Sequence, residues 1–231
     1  MINFPKLWDI LVKKFPTFMD GTAVTLKLAF FTVLFGSVLG MLVTLARRSK
    51  ILPLRWIFNA FVAFIRGTPL LVQTLLMVYG VIPWFSKLVG IKLDREVQCC
   101  IALIINSSAY MAEIIRAGIE SVERGQTEAA QTLGLTPIQT MLHVILPQAI
   151  KTTLPAMGNE FIAIIKESSV MYAVGVYELT YQANKTASTN FFYIETMLVA
   201  AMIYFVLTYG MSWLLKLLER RLHRGEAKLA Q

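Results

Sequence analysis

Ionisable side chains that interrupt apolar sequence are the first candidates for chemistry in this chain. Residues 154–175 are largely apolar, but they include Glu160, Lys166 and Glu167. A carboxylate in hydrocarbon costs several kcal/mol unless it is paired or hydrated, so such a residue usually lines a pathway. Glu160 is suited to pair with the ammonium group of a substrate, or alternatively with Lys166. The amide of the adjacent Asn159 would suit a substrate carboxylate, or equally a bond between helices.

Two further segments offer backbone groups rather than charges. A straight helix over residues 55–87 would be about 48 Å long, which is more than one membrane crossing needs. Gly67 and Pro69 flank Thr68 inside this region. Since proline removes a backbone hydrogen bond and glycine permits a bend, we predict a helix break there, with free backbone groups near a substrate. Ser168 indicates a second unwound stretch.

Other reactive residue types are sparse, which excludes most catalytic sites. The chain has two histidines and two cysteines, and the cysteines are neighbours, Cys99 and Cys100. Adjacent cysteines are hard to bridge, so we interpret them as small apolar residues, and no metal-ligand spacing surrounds them. No phosphate loop of the Gly-Lys-Ser/Thr type occurs. We therefore expect this chain to bind no ATP, metal or other cofactor, and to have no catalytic residues.

The elements that position these residues are predicted to be membrane helices. Of the 231 residues, 56% are hydrophobic and only 16% are charged, and the mean hydropathy is +0.61. Because soluble domains carry about a quarter charged residues, we predict an all-α integral membrane protein. Uncharged stretches close to the roughly 20 residues of one crossing mark the spans. Five are predicted, at about 22–46, 56–86, 97–116, 152–175 and 194–217.

The distribution of positive charge predicts the orientation. The net charge is +8, and Lys and Arg cluster at residues 47–55 and 216–228. Cytoplasmic loops of membrane proteins collect these residues, so five spans place the N-terminus outside and the C-terminus inside, and nucleic acid is not an expected partner. The predicted divisions are an external leader at 1–21, either interfacial helix or loosely ordered, a transmembrane domain at 22–217, and a basic cytoplasmic tail at 218–231.

A polar segment between the third and fourth spans has a pattern of its own. Residues 129–150 lack formal charge, but hydrocarbon would not satisfy their many polar side chains. We predict a short helix, a turn at Gly134, a second helix capped by Thr136, and a return to the membrane marked by Pro147. Small side chains would let a partner surface approach, although an ordinary loop helix explains them equally well.

This segment resembles the EAA loop of ABC importer permeases. The matching residues are Glu128, Ala129, Ala130, Gly134, Val144, Leu146 and Pro147. Further motifs, at 66–73, 109–119, 146–149 and 158–161, resemble the polar amino-acid permeases, the histidine, glutamine and arginine group. The resemblance extends from Gly21 to Arg221. One local departure is Lys-Glu-Ser-Ser at 166–169, where Lys-Asp-Thr-Ser is more common.

The resemblance implies the membrane-spanning permease subunit of a binding-protein-dependent importer for polar amino acids, located in a bacterial inner membrane. It implies pairing with a second copy or a homologous permease. Two copies of a separate ATPase, which hold ATP and Mg²⁺, would act on the EAA loops, at about 120–147. An extracytoplasmic binding protein would deliver the amino acid.

Site residues follow from the resemblance together with the chemistry above. ATPase coupling is assigned to Glu128, Ala129, Ala130, Gly134 and Leu135. Substrate binding is assigned to Gly67, Thr68, Asn159, Glu160 and Ser168. Glu178 and Lys185 are assigned to an external loop, where solvated surface is the preferred interpretation and contact with the binding protein is the alternative.

Two other classes of protein fit the sequence less well. A self-contained secondary transporter favours inverted repeats, and five spans do not form two equal halves. A membrane enzyme needs a nucleophile with its base, or a metal cluster, and the two histidines provide neither.

Overall fold

The computed structural model describes residues 3–227, with side chains through Arg221. Over this range the chain is helical and no β-strand is present. The helices are α1 (Phe4–Lys13), α2 (Phe15–Arg47), α3 (Leu52–Gly67), α4 (Leu70–Leu76), α5 (Ile82–Val89), α6 (Arg95–Glu120), α7 (Arg124–Thr132), α8 (Pro137–Thr140), α9 (Leu146–Glu167), α10 (Leu179–Asn190) and α11 (Tyr193–Ala227). Two π-helical turns, Met77–Val81 and Met141–Ile145, join α4 to α5 and α8 to α9, and the 3-10 helix Ser168–Val174 follows α9.

Four stretches among the described residues are long and apolar enough to cross a membrane. They are Phe15–Arg47, Leu70–Val89, Arg95–Glu120 and Tyr193–Arg221. These stretches correspond to four of the predicted spans. The fifth predicted span is formed by α9 and the 3-10 helix, whose charged residues and internal Pro155 reduce its apolar character. The number of crossings stays a prediction.

Two helices extend across predicted domain boundaries, after residue 21 and after residue 217. α2 already begins at Phe15, because Phe18 is buried and Gly21 lies against α10. α11 continues without interruption past residue 217 to Ala227. The parts of the predicted leader and tail at residues 1–2 and 228–231 lie outside the described residues.

The centre of the fold is the close packing of α2 against α6. A Cβ added to Gly40 would stand 2.5 Å from Met111 Cβ and 3.0 Å from the Ala112 backbone nitrogen. Glycine therefore permits the two backbones to approach. Thr44 Oγ1 then donates a hydrogen bond across the pair to the Ala112 carbonyl, at 3.1 Å. α6 also packs against α3 and α9. These two helices carry the predicted substrate-binding residues Gly67 and Glu160.

The polar segment continues directly into α9. Pro147 was predicted to mark the return to the membrane, and helical structure runs through it without a break, from Pro137 to Glu167. Proline clashes with the carbonyl four residues earlier in a regular α-helix. The π-helical turn just before it widens the helix, and Leu146 N donates to Met141 O, which makes room for the proline ring.

Candidate functional site

Glu160 projects from α9 towards α6. Its Oε1 accepts a hydrogen bond from Ser107 Oγ at 3.1 Å. The side chain is half-buried, while the neighbouring Asn159 is exposed. Among the described residues, no ion pair involves Glu160 or Lys166. The alternative in which Lys166 neutralises Glu160 is thus absent from this conformation, and the carboxylate keeps capacity for a positively charged ligand.

The predicted helix break is present between α3 and α4, but its backbone groups are not all free. Thr68 is extended, with φ −123° and ψ 149°. Gln73 Nε2 donates to the Thr68 carbonyl at 3.0 Å, to Thr68 Oγ1 at 2.8 Å and to the Ile65 carbonyl at 2.7 Å. The expectation of free backbone groups is therefore wrong for the Thr68 carbonyl. Gly67 itself is exposed, and within the described part of the chain no atom lies within 4 Å of an added Cβ.

Gln73 is the functional candidate that the sequence reasoning missed. Its Oε1 accepts from Asn106 Nδ2 of α6 at 2.8 Å, in buried surroundings. A glutamine within the largely apolar α4 was the available signal. Because Asn106 and Ser107 are consecutive, α6 connects the helix break on one side with Glu160 on the other.

Ser168 is separate from these polar residues around α6. The helix does change at this residue, from α to 3-10, close to the predicted unwinding. However, its side chain is fully buried, and its hydroxyl donates to the Ile165 carbonyl at 2.9 Å. The geometry consequently gives a substrate no access to Ser168 in this conformation.

The polar segment forms the predicted helix–turn–helix. Gly134 has φ +81°, its N donates to the Gln131 carbonyl, and Leu135 N donates to the Ala130 carbonyl. This pattern closes α7 with a left-handed residue, for which glycine is the favoured type. Thr136 caps α8, and Gln139 completes the capping box.

The coupling candidates divide into exposed and buried residues. Glu128, Ala129 and Gly134 are exposed and Leu135 is half-buried. Ala130 is only 4% exposed, so in this conformation it packs within the loop and its side chain is not open to a partner.

Apolar residues of the same loop, which the sequence reasoning did not select, are open to contact. Leu133 is 83% exposed and Ile138 72% exposed. Large apolar side chains that are exposed next to a tight turn favour a protein contact over solvent. The signal in the sequence was their apolar type within a polar segment.

The interpretation of Glu178 as a solvated loop residue was wrong. It is fully buried and caps α10, accepting from the backbone N–H groups of Thr180 and Tyr181 and from the Tyr204 hydroxyl. Burial raises the pKa of the Glu178 carboxyl, and these hydrogen bonds oppose that rise. The segment is a helix packed on α11, so Glu178 is a structural residue and not a solvated one.

Comparison with known proteins identifies relatives over nearly the full chain. A family model described as the inner membrane component of binding-protein-dependent transport systems matches residues 22–224. The L-cystine transport system permease protein TcyB of Bacillus subtilis is 39% identical over 223 residues, covering 96% of this chain and 93% of the relative. The arginine transport system permease protein ArtQ of the same species is 34% identical, covering 93% and 96%.

Solved structures agree with these relatives. A crystal structure of an amino acid ABC transporter with histidines superposes with a TM-score of 0.86 at 43% identity, covering 96% of this chain and 99% of that one. An inward-facing structure of the MetNI methionine ABC transporter has a TM-score of 0.70 at 21% identity, with the same coverage. The second comparison concerns the fold alone.

Proposed function

The chain belongs to the family of inner membrane components of binding-protein-dependent transport systems, and from this premise we propose that it imports polar amino acids. It is a permease subunit of an ABC importer, and ATP hydrolysis belongs to a separate chain. The proposed substrate class is supported by similarity over nearly the full chain to the cystine and arginine permeases and to the transporter with histidines. Each of those amino acids has an ammonium group, a carboxylate and a polar side chain.

The candidate site offers complementary chemistry for such a zwitterion. Glu160 supplies a half-buried carboxylate with no cationic partner among the described residues, suited to an ammonium or a basic side chain. The exposed Asn159 and Gly67 provide polar groups beside it and at the helix break. We include Thr68 as a ligand through its backbone N–H, because Gln73 occupies its carbonyl and hydroxyl.

The assembly that we propose follows the domain divisions predicted above. The subunit crosses a bacterial inner membrane five times, with the leader outside, the EAA loop and basic tail inside, and a second permease copy or homologue beside it. Two ATPase copies, holding ATP and Mg²⁺, receive the EAA loops through Glu128, Ala129, Gly134 and Leu135. An extracytoplasmic binding protein delivers the amino acid. Support for the membrane setting comes from the four apolar stretches and the family.

Substrate uptake tests the proposed function directly. The permease, its ATPase and its binding protein, reconstituted in vesicles, are expected to take up a polar amino acid, with ATP hydrolysis stimulated by the loaded binding protein. A panel of basic, amide, sulfur-containing and apolar amino acids identifies the substrate. Uptake without ATP or binding protein, as in a secondary transporter, would contradict the proposal.

Cysteine labelling tests the topology. In a variant without Cys99 and Cys100, Ser49→Cys is expected to react with a membrane-impermeant reagent only after the cells are opened. Lys92→Cys, in the segment between α5 and α6, is expected to react in intact cells, because the same reasoning places it outside. Labelling of Ser49→Cys from outside in intact cells would reverse the whole arrangement.

A further inference from the structure

A cavity of about 580 Å³ lies where α2, α3, α6 and α7 approach one another. Its lining includes the last residues of α2, the end of α6 and the start of α7. On the proposed topology this is the cytoplasmic side of the membrane. The cavity is thus bounded both by helix ends of the transmembrane domain and by the loop that we assign to ATPase coupling.

Four arginines line this cavity, and two of them form ion pairs within the fold. Arg47 donates to Glu113 at 2.6 Å. Arg116 donates to the same carboxylate and to Glu120, each at 2.7 Å. Arg66 Nη1 also lies 3.8 Å from Glu113 Oε2, so Glu113 and Glu120 together offset two of these three positive charges.

The other two arginines of the cavity, Arg48 and Arg124, lack such carboxylate partners among the described residues. Arg48 and Arg124 line the cavity and both are exposed. Their side chains take part in none of the ion pairs within the part of the chain that the structure describes. Asn59 uses its carbonyl oxygen to accept from Arg47 Nε at 2.7 Å, which leaves its amide NH₂ group as a donor. The cavity therefore combines surplus positive charge with free hydrogen-bond donors, as an anion site requires.

We propose that this cavity binds the phosphate head group of an anionic phospholipid from the cytoplasmic leaflet. Basic pockets between the cytoplasmic ends of membrane helices suit such head groups. Arg47 is the first charged residue after Lys27, so the end of α2 lies at the boundary of the hydrocarbon. The inference rests on the proposed orientation, and goes beyond it by assigning a lipid ligand.

The surroundings favour a lipid over other anions. Leu45, Leu52 and Trp56, at the same ends of α2 and α3, are exposed apolar or aromatic residues, and tryptophan is typical of the membrane interface. Ile119 and Ile145 add apolar wall to the cavity, which would contact the glycerol and first acyl carbons. A volume within the roughly 300–1,000 Å³ range of ligand sites exceeds what a free phosphate or one carboxylate needs.

A lipid bound at this position would connect the transmembrane domain to the coupling loop. Arg48 directly follows α2, and Arg124 is the first residue of α7. A head group held by both would tie the membrane helix to the coupling loop without contacting the amino-acid site.

Lipid binding to the purified permease–ATPase complex tests the proposal. Native mass spectrometry with phosphatidylglycerol and phosphatidylcholine of matched chains is expected to show preferential retention of phosphatidylglycerol. Each arginine near a membrane surface is worth about 1 kcal/mol, or roughly fivefold in affinity. Arg48→Ala with Arg124→Ala is therefore expected to weaken phosphatidylglycerol binding about 25-fold, and each single variant about fivefold.

The matched control is Lys50→Ala with Arg55→Ala, which removes the same charge from exposed residues near the end of α2 that do not line the cavity. It is expected to retain the lipid preference. Equal loss in this control would show a diffuse surface effect and overturn the site. Displacement of the lipid by millimolar inorganic phosphate would also overturn the site. The same conclusion would follow if the cavity variants bound the ATPase more weakly while their lipid binding was unchanged. Lipid binding is read without transport, so failure here is distinct from failure of the proposed function.

Discussion

Gly134→Asp is expected to abolish amino-acid uptake while leaving the permease inserted in the membrane. Gly134 holds φ +81°, and no atom of its described surroundings lies within 4 Å of an added Cβ. The new side chain would therefore project from the turn into the surface that we assign to the ATPase. An unpaired carboxylate buried there costs several kcal/mol, more than the backbone strain of about 1–2 kcal/mol. Binding-protein-dependent uptake and membrane abundance are the two measurements.

Gly90 provides a matched control for this substitution. It has φ +76° and also ends a helix, and among the residues that the structure describes none lies within 4 Å of an added Cβ. On the proposed topology it lies on the opposite side of the membrane. Gly90→Asp introduces the same strain and charge, so it is expected to keep most of the uptake and ATPase binding. Uptake near wild type with Gly134→Asp would remove the loop from the coupling path.

Glu160→Gln is expected to reduce uptake sharply or to change the preferred amino acid, without loss of the assembled transporter. Glutamine keeps the shape and can still accept from Ser107 Oγ, which lies 3.1 Å from the carboxylate. Only the charge is removed. A charge-assisted hydrogen bond to a substrate contributes about 1–3 kcal/mol, or roughly 5- to 150-fold in affinity. Uptake kinetics over an amino-acid panel, with ATPase co-purification, measure the effect.

Glu178→Gln distinguishes a site carboxylate from a structural one. Glu178 is a buried carboxylate in the same subunit, but two backbone N–H groups and Tyr204 satisfy it. Its change is expected to lower thermal stability without altering substrate preference. The opposite explanation for Glu160, an ion pair with Lys166, predicts lower expression of Glu160→Gln and partial rescue by Lys166→Met. Unchanged affinity and preference in well-expressed Glu160→Gln would remove Glu160 from the site.

The sequence determined those features that depend on local chemistry. The apolar stretches of α2, α6 and α11 follow from the length of uncharged sequence, which the bilayer thickness limits. The break after Gly67 follows from Gly67 and Pro69, and the turn at Gly134 from a φ that glycine adopts without penalty. Motif spacing in the loop led to the family. Each of these signals is contained in about twenty consecutive residues or fewer.

The tertiary structure decided which polar groups meet. Asn106 bonds to Gln73 across 33 positions and Ser107 to Glu160 across 53, so neither pairing is contained in a local pattern. Helix packing also buried Ala130 and Glu178, which the sequence had assigned to exposed surfaces. The reason is that residue type sets how costly an unpaired polar group is, whereas only the packing of distant helices supplies its partner and excludes its water.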